Sequence, residues 1–529
     1  MLPFEGVSNR CRWLPVLLAS LLLMAPPPVG AAGQLEVRLD GLVLPIELDQ
    51  LQAWSRNPRR SRTELGIWLE LLDDRSRADL VLLLNSPLLP DRGLALQLLQ
   101  SWSGRQVLDE VGELLSTDQP GSGALLLSTL RSQLQKPEPF TAIDLLLAVP
   151  ARRLSLDLDG VLALAASWRQ QLEQQTVALR RLRQLPLPAQ QGPAAAQRLA
   201  ALNRSVPQRR LLLKVAHRDQ PLELDLWGAA APRRRAWVLL MPGLGGSSTQ
   251  LSWLAEGLAQ RGWPVLLVEH PGSDEKAVRQ LLDGRRPPPG AETLPDRLAD
   301  VEAVLRAEAG GELPRLGGSV VLMGHSLGGL SALMATGERP VPGLEQRCKR
   351  ALKGIPLINL SRLLQCQLAQ VNLPDPTPPQ RQVTPVEAVV SLNGFGSLLW
   401  PGRGLDQLKA PLLMVGGSLD LVTPPVSEQL GLFLQQRDPR SRLALVEGGS
   451  HFSPVRITDR KEAMLQLGEQ FVGEEPLRVQ ELLLGLSADF LLALETGTAL
   501  PPQQRRQDGV RAYVLDQAEA QLWSRRLRR

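Results

Sequence analysis

A serine between glycines is the strongest chemical signal in this sequence of 529 residues. Residues 323–329 read Met-Gly-His-Ser-Leu-Gly-Gly, which places Ser326 in the pattern G-x-S-x-G. Short glycine patterns also arise by chance, so the neighbouring residues decide the meaning of this one. Residues 319–323 have the pattern of a buried strand and residues 327–335 that of a helix, and a nucleophilic serine often stands on such a strand–turn–helix junction. We therefore predict that Ser326 is a nucleophile.

A serine hydroxyl is a weak nucleophile unless a base takes its proton, and His451 is the predicted base. His451 lies in a glycine-rich segment after the last predicted strand, where a loop can reach the carboxyl edge of a sheet. His325 stands beside the serine in the turn and should point away from its hydroxyl. His217 belongs to an early predicted hairpin, and His270, which follows another predicted strand, is the alternative base.

The base needs a carboxylate that orients its ring and stabilises the imidazolium, and Asp420 is the predicted acid. It follows a predicted strand at residues 411–415 and a glycine turn, which places it on a loop at the same edge of the sheet. Asp438 and Glu447 are the rival acids. Asp438 falls among charged residues and is expected to be solvated, so Asp420 is preferred.

Acyl transfer also needs N–H groups that bind the negatively charged oxygen of the tetrahedral intermediate. The N–H of Leu327, the residue after the nucleophile, is the first predicted donor. A turn of small residues, Pro-Gly-Leu-Gly-Gly at 242–246, follows the strand predicted at residues 236–241. The N–H of Leu244 in this turn is the second predicted donor.

The same turn also imitates a dinucleotide-binding turn, because Gly243 and Gly245 follow a strand and Glu269 ends the next strand. The third glycine position is occupied by Ser248, however, and this alternative leaves the serine motif unexplained. A dinucleotide-binding oxidoreductase is therefore the less favoured function. No group of histidines and acids in the sequence has the spacing of metal ligands, so we predict no metal.

Short apolar runs that alternate with helical patterns must position these residues. The runs after residue 207 do not alternate with polar residues, which is typical of strands buried on both faces. We predict an α/β fold with a doubly wound, mainly parallel sheet over residues 207–529, with helices at its C-terminus. Residues 338–384 interrupt the alternation and are interpreted as a cap insertion. The predicted strands are residues 211–215, 222–226, 236–241, 264–268, 319–323, 388–392, 411–415 and 442–446.

Three segments precede this sheet. Residues 1–32 have the pattern of a signal peptide, with early arginines, an apolar stretch too short to cross a bilayer, and small residues that favour cleavage near Ala31. We expect an exported protein, periplasmic or secreted, and an uncleaved anchor is the alternative. Residues 33–183 begin with a predicted hairpin and continue as a small, mostly helical domain. Residues 184–206, which are rich in proline, alanine and glutamine, are the predicted linker.

Export would make the cysteines informative. Cleavage would remove Cys11 and leave Cys348 and Cys366, which are 18 positions apart. Two such thiols in an oxidising compartment are expected to form a disulfide, and two buried free thiols are the alternative. Closure of a loop of this size contributes about 3 kcal/mol in the chain-entropy model.

The composition excludes several classes of protein. Hydrophobic residues make up 43% and charged residues 21%, as in a globular chain and unlike a disordered or multi-span membrane protein. The net charge is +5, and the arginine clusters are not interleaved with aromatic residues, so no nucleic-acid partner is predicted. These clusters are expected to be solvated, and the alternative is a weak attraction to anionic membrane surfaces.

The motifs at residues 242–246, 269–272 and 324–329, with the contexts of Asp420 and His451, resemble those of α/β-hydrolases. They are most similar to dienelactone-hydrolase-like and platelet-activating-factor-acetylhydrolase-like proteins, and the N-terminal part resembles exported, largely cyanobacterial hydrolases with an uncharacterised N-terminal domain. Dienelactone hydrolases proper use a cysteine, and the serine here favours ordinary esters. The resemblance implies a serine hydrolase of short-acyl or phospholipid carboxylic esters that needs no cofactor. A catalytically inactive binding protein of the same fold is the alternative from another class.

Overall fold

The structure is a computed structural model that describes most of the chain. The chain forms two compact units. Residues 1–90 and 111–161 contribute to the first unit, and residues 91–110 and 162–529 to the second. The predicted signal peptide, its cleavage near Ala31 and nearly all of the predicted linker lie outside the described residues. The described residues are 32–58, 63–70, 73–88, 92–187, 206–228, 235–353, 359–375, 383–456 and 476–527.

The first unit combines helices with a four-stranded sheet. The predicted hairpin is present as β1 (Gln34–Leu39) and β2 (Leu42–Glu47), which pair antiparallel. Two strands that the sequence does not predict, β3 (Leu115–Thr117) and β4 (Arg153–Asp157), complete the order β2-β1-β4-β3. The core contains the buried Trp54. The helices that lie wholly within this unit are Leu48–Arg56, Glu64–Leu69, Asp74–Asn85, Ser122–Gln135 and Ala142–Ala148.

The second unit is built on a ten-stranded sheet. Its strands are β5 (Gln208–Leu213), β6 (Leu222–Trp227), β7 (Ala236–Met241), β8 (Val265–Val268), β9 (Ser319–His325), β10 (Val386–Leu392), β11 (Leu412–Gly417), β12 (Arg442–Val446), β13 (Gln503–Gln507) and β14 (Val510–Leu515). They are arranged in the order β13-β14-β12-β11-β10-β9-β7-β8-β6-β5. The six strands β7 to β12 are parallel to one another, and the outer pairs are antiparallel. The predicted mainly parallel α/β sheet is therefore confirmed.

Helices cover both faces of this sheet, so that successive strand residues enter different cores. On β7, Trp237 and Leu239 pack into one core, while Val238 and Leu240 pack into the other. All four are fully buried, which explains why the strand lacks polar alternation. The helices of the unit are Arg92–Gln100, Ser248–Gln260, Glu275–Leu282, Leu294–Gly310, Leu327–Ala335, Leu344–Ala351, Ser361–Gln367, Leu430–Phe433, Pro476–Thr496 and Gln517–Leu527, and the helices Trp102–Leu114 and Leu158–Arg180 contain boundaries between the units.

The first unit ends at Val161, and not at the predicted boundary of residue 183. The reason is the C-terminal half of the helix Leu158–Arg180, whose Ala178 and Leu179 are buried in the core of the second unit. The indole N–H of Trp523 also donates to the carbonyl of Ala178 at 3.0 Å. This half-helix is therefore part of the α/β unit.

The predicted insertion contains the helices Leu344–Ala351 and Ser361–Gln367, which are joined by a disulfide. Cys348 and Cys366 are bonded with their Cα atoms 5.4 Å apart, so the predicted disulfide is confirmed. The N–H of Ser361 donates to the carbonyl of Val422 at 2.9 Å, which attaches the insertion to the loop after β11. Within the described residues, none of the helices has the length and hydropathy of a membrane span.

Candidate active site

Ser326 occupies a sharp turn between β9 and the helix Leu327–Ala335, with φ of 53° and ψ of −118°. The neighbouring glycines allow this turn because backbone atoms approach them closely. A Cβ on Gly324 would lie 2.2 Å from the carbonyl carbon of Gly328. A Cβ on Gly328 would lie 2.2 Å from the carbonyl oxygen of Met241. The turn therefore needs glycine at both positions.

The structure brings Ser326, His451 and Asp420 together from the loops after β9, β12 and β11. The Nε2 atom of His451 lies 2.9 Å from the Oγ of Ser326. The Nδ1 atom of the same ring lies 3.0 Å from the Oδ2 of Asp420. All three residues are less than a tenth exposed. The arrangement can pass a proton from the serine hydroxyl to a ring that a carboxylate orients.

Asp420 receives several hydrogen bonds besides the one from its histidine. The N–H groups of Val422 and Thr423 donate to Oδ1 at 2.9 and 2.7 Å. The Thr423 hydroxyl and the Asn393 amide donate to Oδ2 at 2.6 and 2.7 Å. Burial alone would raise the pKa of Asp420, but the opposing effects of His451 and of the Thr423 hydrogen bonds lower that pKa below its usual value. The carboxylate is therefore anionic beside the histidine.

The sequence analysis does not predict Asn393 and Thr423, although the position of each in the sequence points to the site. Thr423 stands three positions after the acid, which is a common spacing for a hydroxyl or N–H that binds an aspartate side chain. Asn393 directly follows β10, whose carboxyl end is next to that of β9 in the sheet. A polar residue at that place points to the site in an open α/β sheet.

His325 supports the loop that carries the base. Its Nε2 donates to the carbonyl of His451 at 2.8 Å, and the two ring centroids are 5.0 Å apart. Burial lowers the pKa of His325 to about 3, so the ring is neutral and its proton serves this hydrogen bond. As the sequence suggests, His325 does not bond the serine hydroxyl.

The alternative base and acids have other partners. The Nδ1 of His270 lies 2.8 Å from a carboxylate oxygen of the buried Asp300. Asp438 forms an ion pair of 2.6 Å with the arginine two positions after it. Glu447 accepts a hydrogen bond from the Tyr513 hydroxyl at 2.8 Å. The serine is paired only with His451 among these candidates.

The two predicted oxyanion donors belong to segments that lie next to the serine. Leu327 is the first residue of its helix, so its N–H has no acceptor within the helix. Leu244 lies in the turn at residues 242–246, where a Cβ on Gly243 would be 3.2 Å from the Cβ of Ser326. Within the described parts of the chain, neither the Leu327 nor the Leu244 N–H donates to another protein group. Both N–H groups can therefore serve a ligand oxygen.

The described residues contain no group of three histidine, cysteine or acidic side chains that could hold a metal ion. At Ser326 the structure brings together side chains and backbone N–H groups. It combines a nucleophile, a base with its acid, and two N–H donors.

Two family models match the chain. One, described as an alpha/beta hydrolase of unknown function (DUF1400), matches residues 31–157. The other, described as the alpha/beta hydrolase family, matches residues 238–464, which include Ser326, Asp420 and His451. The chain is a member of the α/β-hydrolase superfamily, and its fold is the α/β-hydrolase fold. The predicted resemblance is confirmed at the level of the superfamily, which supports hydrolase activity.

Among solved structures, the chain is similar to a predicted CIB-like hydrolase from Thermoplasma acidophilum. The two are 16% identical, the match covers 54% of this chain and 98% of the other, and the TM-score is 0.31. No curated protein matches the chain. The assignment to the superfamily therefore depends on the family models.

Proposed function

We propose that this protein is a serine hydrolase of carboxylic esters, with Ser326, His451 and Asp420 as its catalytic residues. The observation that carries the proposal is the continuous hydrogen-bonded chain from the serine Oγ through both ring nitrogens to the buried carboxylate, with steps of 2.9 and 3.0 Å. A histidine that merely lay on a surface loop would not need both of these contacts. The Gly-constrained turn at the serine adds the strained geometry that exposes a nucleophile to substrate.

In the proposed mechanism, Oγ of Ser326 attacks the ester carbonyl carbon while Nε2 of His451 takes the hydroxyl proton. The carbonyl oxygen becomes negatively charged and accepts hydrogen bonds from the N–H groups of Leu244 and Leu327. The C–O bond to the alcohol then breaks, and the histidine returns its proton to the leaving oxygen. Water repeats both steps on the acyl-enzyme, releases the acid and restores the serine. Asp420 stabilises the imidazolium in each half-reaction.

The proposed substrates are small-molecule or lipid esters with short acyl groups. This choice follows the resemblance to platelet-activating-factor-acetylhydrolase-like proteins, and the Phe452 ring adds an apolar contact beside the base, edge-on to the His451 ring at 5.2 Å between centroids. We propose that the insertion at residues 338–384 is a cap, because Ser361 is hydrogen-bonded to the loop that follows the acid. Export is part of the same proposal, and a disulfide within the insertion supports an oxidising compartment.

A fluorophosphonate probe tests the proposal on the full-length protein. The probe reacts only with an activated serine, so we expect the wild-type chain to be labelled and Ser326→Ala to remain unlabelled. Ser319→Ala is the matched control, because Ser319 is a buried serine at the opposite end of the same strand. It should be labelled as the wild type is. A folded wild type that neither reacts with the probe nor hydrolyses esters would instead indicate an inactive binding protein.

A series of p-nitrophenyl esters then defines the acyl group. We expect kcat/KM to be highest for acetate or butyrate and to fall for longer chains. A preference for chains of ten carbons or more would contradict the short-acyl proposal while leaving the serine mechanism intact.

A further inference from the structure

A buried arginine contacts the turn that carries one of the proposed oxyanion donors. Arg297, on the helix Leu294–Gly310, is only 1% exposed. Its Nη1 donates to the hydroxyl of Ser273 at 2.8 Å, and its Nη2 donates to the carbonyl oxygen of Pro242. The mechanism above assigns no function to either side chain.

The Pro242 carbonyl is close to Leu244 along the chain and to the nucleophile helix in space. Along the chain, Pro242 is two positions before Leu244. In space, its carbonyl oxygen would be 2.7 Å from a Cβ on Gly328, which is in the first turn of the nucleophile helix and follows Leu327. A group that holds this carbonyl in place therefore also restrains the position of the turn that contains Leu244 relative to the helix that begins at Leu327.

Ser273 holds the other end of the same turn. Its carbonyl accepts a hydrogen bond from the N–H of Gly245 at 2.8 Å. Its hydroxyl donates to the carbonyl of His270 at 3.2 Å and accepts from Arg297. The residues on both sides of Leu244 are thus attached to one buried network, by the Pro242 carbonyl and by the Gly245 N–H.

A buried carboxylate, that of Asp300, favours the charged form of the arginine. Asp300, one turn further along the helix, is fully buried and lies 2.6 to 2.8 Å from nitrogen atoms of His217, Arg218 and His270. Burial lowers the pKa of Arg297 to about 9, which leaves the guanidinium charged at neutral pH. A charged donor makes a stronger hydrogen bond to a carbonyl than a neutral one does.

We propose that Arg297 and Ser273 are positioning residues that hold the Leu244 N–H at the place where the oxyanion forms. The inference rests on the proposed function, because only an acyl-transfer reaction develops charge there. The oxyanion exists in the transition state and not in the bound ester, so misplacement of a donor lowers kcat and leaves KM nearly unchanged. A lysine lacks the planar fork that reaches the Pro242 carbonyl and the Ser273 hydroxyl together.

The test compares Arg297→Lys and Ser273→Ala with the wild type in the full-length protein, after titration of active sites with a fluorophosphonate. With p-nitrophenyl acetate we expect kcat to fall about 10- to 100-fold for Arg297→Lys, and less for Ser273→Ala, with KM within about twofold. The affinity for a boronic acid, which forms a tetrahedral anion on the serine, should fall in parallel with kcat. A merely structural role would change the yield of folded protein and not these two constants for each titrated site.

Arg442→Lys is the matched control. Arg442 is also buried and donates to backbone carbonyls, those of Pro439 at 2.7 Å and Ser441 at 2.6 Å. It is the first residue of β12, however, and so lies at the amino ends of the parallel strands, whereas the site lies at their carboxyl ends. We expect kcat to be unchanged in this variant.

Two results would overturn the inference while the proposed function stands: an active wild type with kcat of Arg297→Lys within twofold, or an equal loss of kcat in Arg442→Lys. If Arg297→Lys does not fold, Ser273→Ala decides by the same criteria. A wild type that is neither labelled nor active removes the proposed function, and this inference with it.

Discussion

Asp420 accepts more hydrogen bonds than orientation of a histidine requires. The backbone of Val422 and Thr423 saturates one oxygen, while Thr423, Asn393 and His451 share the other. These donors leave no position for a proton on the carboxyl group. The site therefore binds the ionised carboxylate. Replacement of this aspartate by asparagine should change the tautomer of His451 more than it changes the free energy of unfolding.

We expect Asp420→Asn to lower kcat by about 10⁴-fold, because an amide that faces the ring as a donor favours the wrong tautomer of His451. The measurement is kcat with p-nitrophenyl acetate on site-titrated enzyme. Asp438→Asn is the control, since Asp438 is engaged by a neighbouring arginine away from the serine. A loss below tenfold in Asp420→Asn would contradict the assigned role of the acid.

The buried histidines predict a pH-dependent stability. Burial is the main cause that lowers the pKa of His325 to about 3 and that of His270 to about 4. In the unfolded chain both would have a pKa near 6.5, so between pH 6.5 and 4 the unfolded state binds more protons. The free energy of unfolding should fall by up to about 2 kcal/mol for each histidine from pH 6.5 to pH 5. Burial raises the pKa of Glu338 to about 7, which opposes this loss between pH 7 and pH 5 because the folded state then binds more protons at that carboxyl. Urea unfolding of Glu338→Gln at pH 7 and pH 5 therefore measures the loss, and equal stabilities of this variant at the two values would refute it.

At the scale of elements, the close contact between the nucleophile helix and β7 depends on Gly328. Its missing side chain is what lets the helix start against the Met241 carbonyl. Gly328→Ala should therefore lower the free energy of unfolding by about 1–3 kcal/mol through overpacking, and should displace the Leu327 N–H as well.

The control is Gly485→Ala in the helix Pro476–Thr496, where nothing lies within 4 Å of the added Cβ. That variant should be more stable than the wild type by up to about 1 kcal/mol, because alanine is the better helix former. Urea unfolding of both variants decides the matter. If the two changes had the same sign, the tight turn would not be the reason for glycine at 328.

Elements with local signals could be predicted from the sequence, and elements that depend on distant partners could not. The turn at Ser326 is identified by a motif of seven residues, 323–329, and buried strands are recognisable by continuous apolar runs. The strand Gln503–Gln507 consists of glutamine and arginine alone and is held by pairing with β14, so the sequence predicts only helices there. The contact of Arg297 with Pro242 joins residues 55 positions apart, and no local pattern reports it.

At the scale of the whole molecule, the α/β unit begins earlier in the sequence than composition suggests. Linker-like residues at 184–206 suggest a boundary, but Ala178, Leu179 and Leu182 already belong to the main core. A second early segment, residues 91–110, belongs to the same unit, and the Gln97 amide donates to the Gly284 carbonyl at 2.9 Å. Composition identifies residues 184–206 as linker-like, but it does not show that the apolar face of the helix Leu158–Arg180 packs into the core of the α/β unit.

A pair of truncated chains tests this boundary. A chain of residues 162–529 keeps the half-helix that packs against Trp523, whereas a chain of residues 207–529 exposes that apolar surface. We expect the longer chain to be more soluble and to unfold at a higher urea concentration. Equal stability of the two chains would show that the half-helix contributes nothing to the α/β unit.

The backbone at Ser326 has a consequence for how sequences of this kind diverge. Only glycine adopts a positive φ with ψ near −118° without penalty, so a serine there costs about 1–3 kcal/mol. A descendant that no longer needed the hydroxyl would become more robust by mutation to glycine at this one codon. We therefore expect a homologue with glycine at this position to lack serine-hydrolase activity and to have the larger free energy of unfolding.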